Sequence, residues 1–123
     1  MNIQIYVGKK NPEALKAERF FKERGIPYQL VDLKKHKLGR KELELFARNA
    51  GAGALVDRSG PKALERPVAH MDTESLILDQ LLSDPMALIC PIVRNGSQIT
   101  AGAGGEAAWK RWVAQEAGGP PTR

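Results

Sequence analysis

Residues 5–35 read IYVGKKNPEALKAERFFKERGIPYQLVDLKK, and two strand patterns flank one helix pattern in this stretch. From Asn2 to Val7, Ile3, Ile5 and Val7 share one side and Tyr6 takes the other, the alternation of a buried strand. Gly8-Lys9-Lys10 is a loop, and Asn11-Pro12-Glu13 starts a helix. Asparagine is a favoured N-cap, proline suits the first helical position, and glutamate suits the positive end of the helix dipole. Leu15, Phe20, Phe21 and Arg24 carry the helix to Gly25, a natural stop. Ile26-Pro27 then leads into a second strand, Tyr28 to Leu33. Strand, helix and strand at this spacing predict a βαβ unit with parallel strands and a right-handed crossover.

Beyond this unit the chain turns helical. Gly39 to Ala50 is amphipathic, with Leu43, Leu45 and Phe46 facing inward. Ala52 to Arg58 reads as a further helical turn, and Pro61 to His70 as a broken helical stretch limited by Pro67. Asp72-Thr73-Glu74 predicts the cap of a helix whose apolar face is Leu76, Ile77, Leu81 and Leu82, ending at Asp84-Pro85. Leu88 to Val93 is a third strand interrupted by Pro91. Arg94-Asn95-Gly96-Ser97 is a hairpin turn, and Gln98 to Ala101 is the returning strand. A last helix, Glu106 to Ala117, carries the stripe Trp109, Trp112 and Val113. The expected architecture is α/β: a four-stranded mixed sheet with helices on both faces and a helical insertion at about 39–85. Residues 1–117 form the expected domain, and the Gly- and Pro-rich residues 118–123 a frayed tail. Pro91 has two readings, since proline cannot donate to a ladder: an edge position, or a cis Cys90-Pro91 bond beside a site.

A chain of 123 residues has room for one core. Nineteen Lys+Arg against 14 Asp+Glu give a formal charge of +5, which suits an acidic partner or a solvated basic surface. The basic residues lie at helix-surface spacing or in the short run Lys34-Lys35-His36-Lys37, read as a solvated loop, so direct nucleic-acid binding is not expected. Trp109 and Trp112 read as packing residues rather than a stacking platform for bases. No apolar run reaches the ~20 residues of a membrane span. The N-terminus reads as a strand and not as a signal peptide. The single cysteine, Cys90, excludes an intrachain disulfide and fits a cytoplasmic location. His36 and His70 have no partners at metal-ligand spacing, and no motif calls for a metal or another cofactor. Gly8-Lys9-Lys10 ahead of a helix is a weak anion cradle and matches no nucleotide-loop fingerprint.

The opening run resembles the start of the arsenate reductase and Spx (ArsC-like) family. LVDRSG (residues 55–60) and CPIVRNG (residues 90–96) resemble that family's middle arginine segment and its cis-proline hairpin. The resemblance covers residues 2 to about 113. It implies a thioredoxin-like fold and a cis Pro91 facing the start of the first helix. It also implies a nucleophilic cysteine at the tip of the loop after the first strand, often with a second cysteine or a serine three positions later. This chain has Asn11 and Ala14 at those positions. Thiol chemistry there needs a thiolate whose pKa the helix terminus depresses, and an asparagine amide cannot replace it. The reductases also resemble one another in an arginine directly before the cis proline, where Cys90 stands. Their further arginine has no counterpart in Ala101 to Gly105, and Arg58 alone matches an arginine of the anion site.

Asn11 therefore reads as an N-cap, with ligand orientation as a second role. Cys90 reads either as a small buried hydrophobe or as a thiol moved across the site, activated by the helix terminus and by Lys9, Lys10 and Arg94. The resemblance implies a reductase-like protein degenerate at its catalytic position. It would keep an anion or thiol-ligand site built from Lys9, Lys10, Asn11, Arg58, Arg94 and Cys90, with glutathione or a glutaredoxin or thioredoxin as partner. The alternative is a non-enzymatic regulator of the Spx type that binds RNA polymerase or another protein.

Overall fold

The computed structural model describes residues 1–9, 11–59 and 61–117. Lys10 and the tail expected at 118–123 lie outside the described residues. The first strand, β1 (Ile3–Val7), and helix α1 (Pro12–Glu23) lead to β2 (Tyr28–Asp32). Helix α2 (Arg40–Ala50), a 3-10 turn at Ala52–Leu55 and helix α3 (Pro61–Glu65) follow, then a second 3-10 turn at Pro67–His70, helix α4 (Glu74–Ser83) and a third turn at Pro85–Ala87. Strands β3 (Ile92–Asn95) and β4 (Gln98–Ala101) and helix α5 (Glu106–Ala117) complete the order. The strands form one four-stranded mixed sheet in the order β2-β1-β3-β4. β1 pairs parallel with β2, Ile5 opposite Leu30, and antiparallel with β3, Ile5 opposite Val93. This is the α/β arrangement expected from the residues.

The alternation in β1 divides the core. Ile3 and Ile5 pack with Val93 against α1 and α5, burying Ala17, Phe20, Phe21, Trp109 and Trp112. Tyr6 faces the opposite layer with Val31 and Ile92, where α2 and α4 contribute Leu43, Phe46, Ile77, Leu78 and Leu81. Trp109 donates from Nε1 to Thr100 Oγ1 at 2.9 Å, so α5 is fixed by a polar bond as well as by its apolar stripe. Asn49 of α2 covers the β4 edge: its Oδ1 accepts from the Ile99 N–H at 3.3 Å and its Nδ2 donates to Ser97 O at 2.9 Å. A free ladder edge is thereby occupied by a side-chain amide.

Three local expectations need correction. Leu76 is 50% exposed, and the inward face of α4 is Ile77, Leu78 and Leu81. Thr73 takes the N-cap position of α4 but makes no side-chain cap bond. The third strand starts at Ile92, after Pro91 rather than through it, and Leu88 makes only an isolated bridge with Val56. With the ladder beginning beyond it, Pro91 interrupts no strand. The Cys90-Pro91 bond is cis, as the resemblance implied.

Candidate functional site at the start of the first helix

Asn11 is the N-cap of α1 and has extended backbone (φ −150°, ψ 123°). Its Oδ1 accepts from Glu13 N–H at 2.7 Å and Ala14 N–H at 3.4 Å, two of the amides that a helix start leaves without partners. Its Nδ2 donates to Cys90 O at 3.0 Å. One side chain thus caps the helix and ties it to the loop carrying Pro91, across 79 residues of sequence. With Asn11 bonded to both, the Glu13 and Ala14 amides are not free to serve the anion cradle expected ahead of this helix.

Beside this junction lies a cleft of about 390 Å³ bordered by Lys9, Asn11, Asp57, Arg66, Met86 and Cys90, among others. Cys90 is half-buried, and its Sγ lies 3.6 Å from Leu88 O, which accepts a weak bond from the thiol. Burial pushes the thiol pKa up to about 11; the Gly8 N–H opposes that rise and the Asp57 carboxylate adds to it. Of the two readings of Cys90, this environment opposes the activated, low-pKa thiol: desolvation of the thiolate outweighs a helix terminus whose leading amides Asn11 has taken.

The charges around the cleft are mixed. Lys9 and Arg66 border it, and so do Glu13 and Asp57. Asp57 accepts from both the backbone N–H (2.9 Å) and the hydroxyl (2.6 Å) of Ser59. Arg66 is paired with Asp84 at 2.9 Å.

The remaining candidates are dispersed. Arg58 donates to Ala69 O at 3.1 Å and Gly53 O at 2.6 Å, which ties together parts of the helical insertion instead of lining the cleft. Arg94 lies on β3 beside Tyr6, in a separate groove. Lys9 and Asn11 do meet Cys90 at the cleft, and Lys10 lies outside the described residues. Three contributors were missed from sequence: Asp57, Arg66 and Met86. Arg66 precedes Pro67, which forces extended backbone there (φ −72°, ψ 137°), but nothing local says that this residue reaches the cleft. A Cβ on Gly8 would lie 3.0 Å from Met86 Cε and 3.8 Å from Cys90 Sγ, so Gly8 leaves room for the methionine over the loop. Among the described residues no group of three or more His, Cys, Asp or Glu side chains could hold a metal ion. Nor is any helix among them long and apolar enough to cross a membrane.

No protein-family model matches this chain, and no curated protein matches it by sequence. Solved structures do. An arsenate reductase from Vibrio cholerae superposes with a TM-score of 0.75 at 17% identity, covering 89% of this chain and 97% of that one. An arsenate reductase (ArsC) related protein from Brucella melitensis gives 0.62 at 21% identity, covering 92% and 95%. A protein from Staphylococcus aureus COL, known from its solution NMR structure, gives 0.71 at 25% identity, covering 91% and 99%. With its four-stranded mixed sheet, its helical insertion and its cis proline, this chain has the thioredoxin-like fold shared by the arsenate reductase-related proteins.

Proposed function

We propose that this chain is an arsenate reductase-like protein that has lost reductase chemistry and uses the cleft beside α1 to bind a ligand without a covalent step. The observation that carries this reading is the double use of Asn11. Where the resemblance places a nucleophilic thiolate, Asn11 caps the helix with its oxygen and holds Cys90 O with its nitrogen. No thiolate can form at that position, and the one thiol nearby has a pKa raised to about 11, which keeps it protonated at neutral pH. Cleft charges of both signs and an apolar wall that includes Met86 suit a small zwitterionic peptide of the glutathione kind better than a bare oxyanion. Purified protein supplied with arsenate, glutathione and a glutaredoxin or thioredoxin system should give no reduction above background. Glutathione should bind reversibly without forming a mixed disulfide with Cys90. Sustained arsenate turnover would overturn the proposal.

A second reading, the Spx-type regulator that docks on RNA polymerase or another protein, draws support from one feature. Leu15 and Leu30 are 57% and 48% exposed and border a groove on the other flank of the Gly8–Asn11 loop. If docking is the function, Leu15→Glu should abolish capture of the partner and leave glutathione binding intact.

A further inference from the structure

Arg94, displaced from the cleft by the geometry of β3, belongs to a different arrangement. The register sets Gln29 of β2 and Arg94 of β3 on either side of Gln4 of β1. Alternation puts this row on the same sheet face as Val31, Tyr6 and Ile92, one step along the strands. The helical layer buries Val31, Tyr6 and Ile92 but leaves Gln29 exposed and Gln4 and Arg94 half-buried. The result is a groove of about 520 Å³ with two amides and a guanidinium across its floor.

The wall of the groove is a satisfied polar network. Glu42 accepts from Tyr6 OH and from Gly39 N–H, both at 2.8 Å, and His36 Nε2 lies 3.0–3.1 Å from its two carboxylate oxygens. Glu42 has no need of a further cation. Arg94 is in the opposite condition. Its Nε donates to Gly96 O at 2.8 Å and its Nη1 reaches Tyr6 OH at 3.5 Å, both neutral acceptors. Among the described residues no carboxylate forms an ion pair with it. Arg94 is thus a half-buried guanidinium without a direct ion pair, at a groove whose other charged groups are Lys35, Asp32 and Glu42, with His36 beside them.

We propose that this groove is a second ligand site, separate from the α1 cleft, which takes a small carboxylic acid carrying an amide. The planar fork of Arg94 matches a carboxylate in two-point geometry. The Gln4 and Gln29 side chains offer donors and acceptors for the amide. Asp32, also at the groove, disfavours a phosphate dianion and tilts selection toward a single negative charge.

N-acetylglycine is a suitable probe, titrated against the full chain with side-chain amide and arginine Nε–H NMR signals as the readout. Saturable shifts are expected at Gln4, Gln29 and Arg94, with inorganic phosphate producing no saturable shift at equal ionic strength. Arg94→Gln should weaken binding about tenfold or more, and Arg94→Lys by a similar factor, because a point charge lacks the fork. Cys90→Ser should bind as the parent does, which separates this site from the cleft. Unsaturable shifts, an equal response to phosphate, or parental affinity in Arg94→Lys would each overturn the proposal.

Discussion

Removing the Asn11 side chain is the sharpest perturbation of this molecule, because one amide does two jobs. In Asn11→Ala the Glu13 and Ala14 amides lose their acceptor, a cap loss of about 1 kcal/mol. Cys90 O loses its donor as well, which costs about another 1 kcal/mol for a part-buried carbonyl. The sum of about 2 kcal/mol corresponds to a Tm lower by roughly 8 °C for a chain of this size. Asn11→Ser keeps a cap acceptor but its shorter hydroxyl lacks the reach of the amide to Cys90 O, so about half of that loss is expected. Urea unfolding followed by circular dichroism, with unchanged m-values, gives both numbers. The alanine variant also frees the helix-terminal amides, so sulfate should raise its Tm more than that of the parent. Equal stability of all three proteins would refute the double role. An equal sulfate response would show that Asn11 does not occupy the anion position.

The remaining predictions concern Cys90, Glu42 and Gly105. With a thiol pKa of about 11, the thiolate fraction of Cys90 at pH 7.5 is roughly 300-fold below that of a free cysteine at ~8.5. Greater intrinsic nucleophilicity recovers about tenfold, so iodoacetamide should react ~20–30-fold more slowly than with a free thiol, and a rate plateau below pH 9 would refute the raised value. The raised pKa also means that the stability from burying the neutral thiol is complete below the unfolded value and is lost as pH rises through about 11, a loss that Cys90→Ser should not share. For Glu42, burial raises the pKa, but the bonds from Gly39 N–H, Tyr6 and His36 and the charge of His36 outweigh it and leave the carboxyl below its usual range. Its contribution is therefore present above the ordinary glutamate pKa and lost as pH falls through the depressed value; stability of Glu42→Gln measured from pH 7 to 3 should fall less steeply. Gly105→Ala would put a Cβ 2.6 Å from Thr100 Oγ1 and 2.9 Å from Trp109 Nε1, so it should cost about 1–3 kcal/mol by displacing α5, and parental thermal stability would contradict that packing.

Much of the fold was legible in residues 2–33 because its determinants are local. Strand alternation at Ile3, Ile5 and Val7 sorts side chains to two faces, Asn11-Pro12 starts a helix by cap geometry, and Gly25, at φ +67°, ends it. The hairpin at Asn95-Gly96 was equally local, with Gly96 at φ +63°. That Asn11 stands where the resemblance places a cysteine was also plain from sequence, since a residue type at one position needs no neighbours to be read. Period alone misplaced Leu76, because the rotation of α4 is set by which neighbours it packs against.

The character of the site was decided by tertiary structure. From sequence, Cys90 read either as a small buried hydrophobe or as an activated thiol; the choice turns on the folded chain, which half-buries the residue, sets Asp57 near it and lets Asn11 take the amides. Arg58 and Arg94 looked like site residues by position and charge, yet the fold turns one into a tie within the helical insertion and the other toward Tyr6. Arg66, with no local mark, arrives at the cleft. Backbone elements follow from interactions a few residues apart, and those the sequence determined. Burial, counter-charges and hydrogen-bond partners come from residues as distant as the 79 positions between Asn11 and Cys90, and only the assembled chain brings those together.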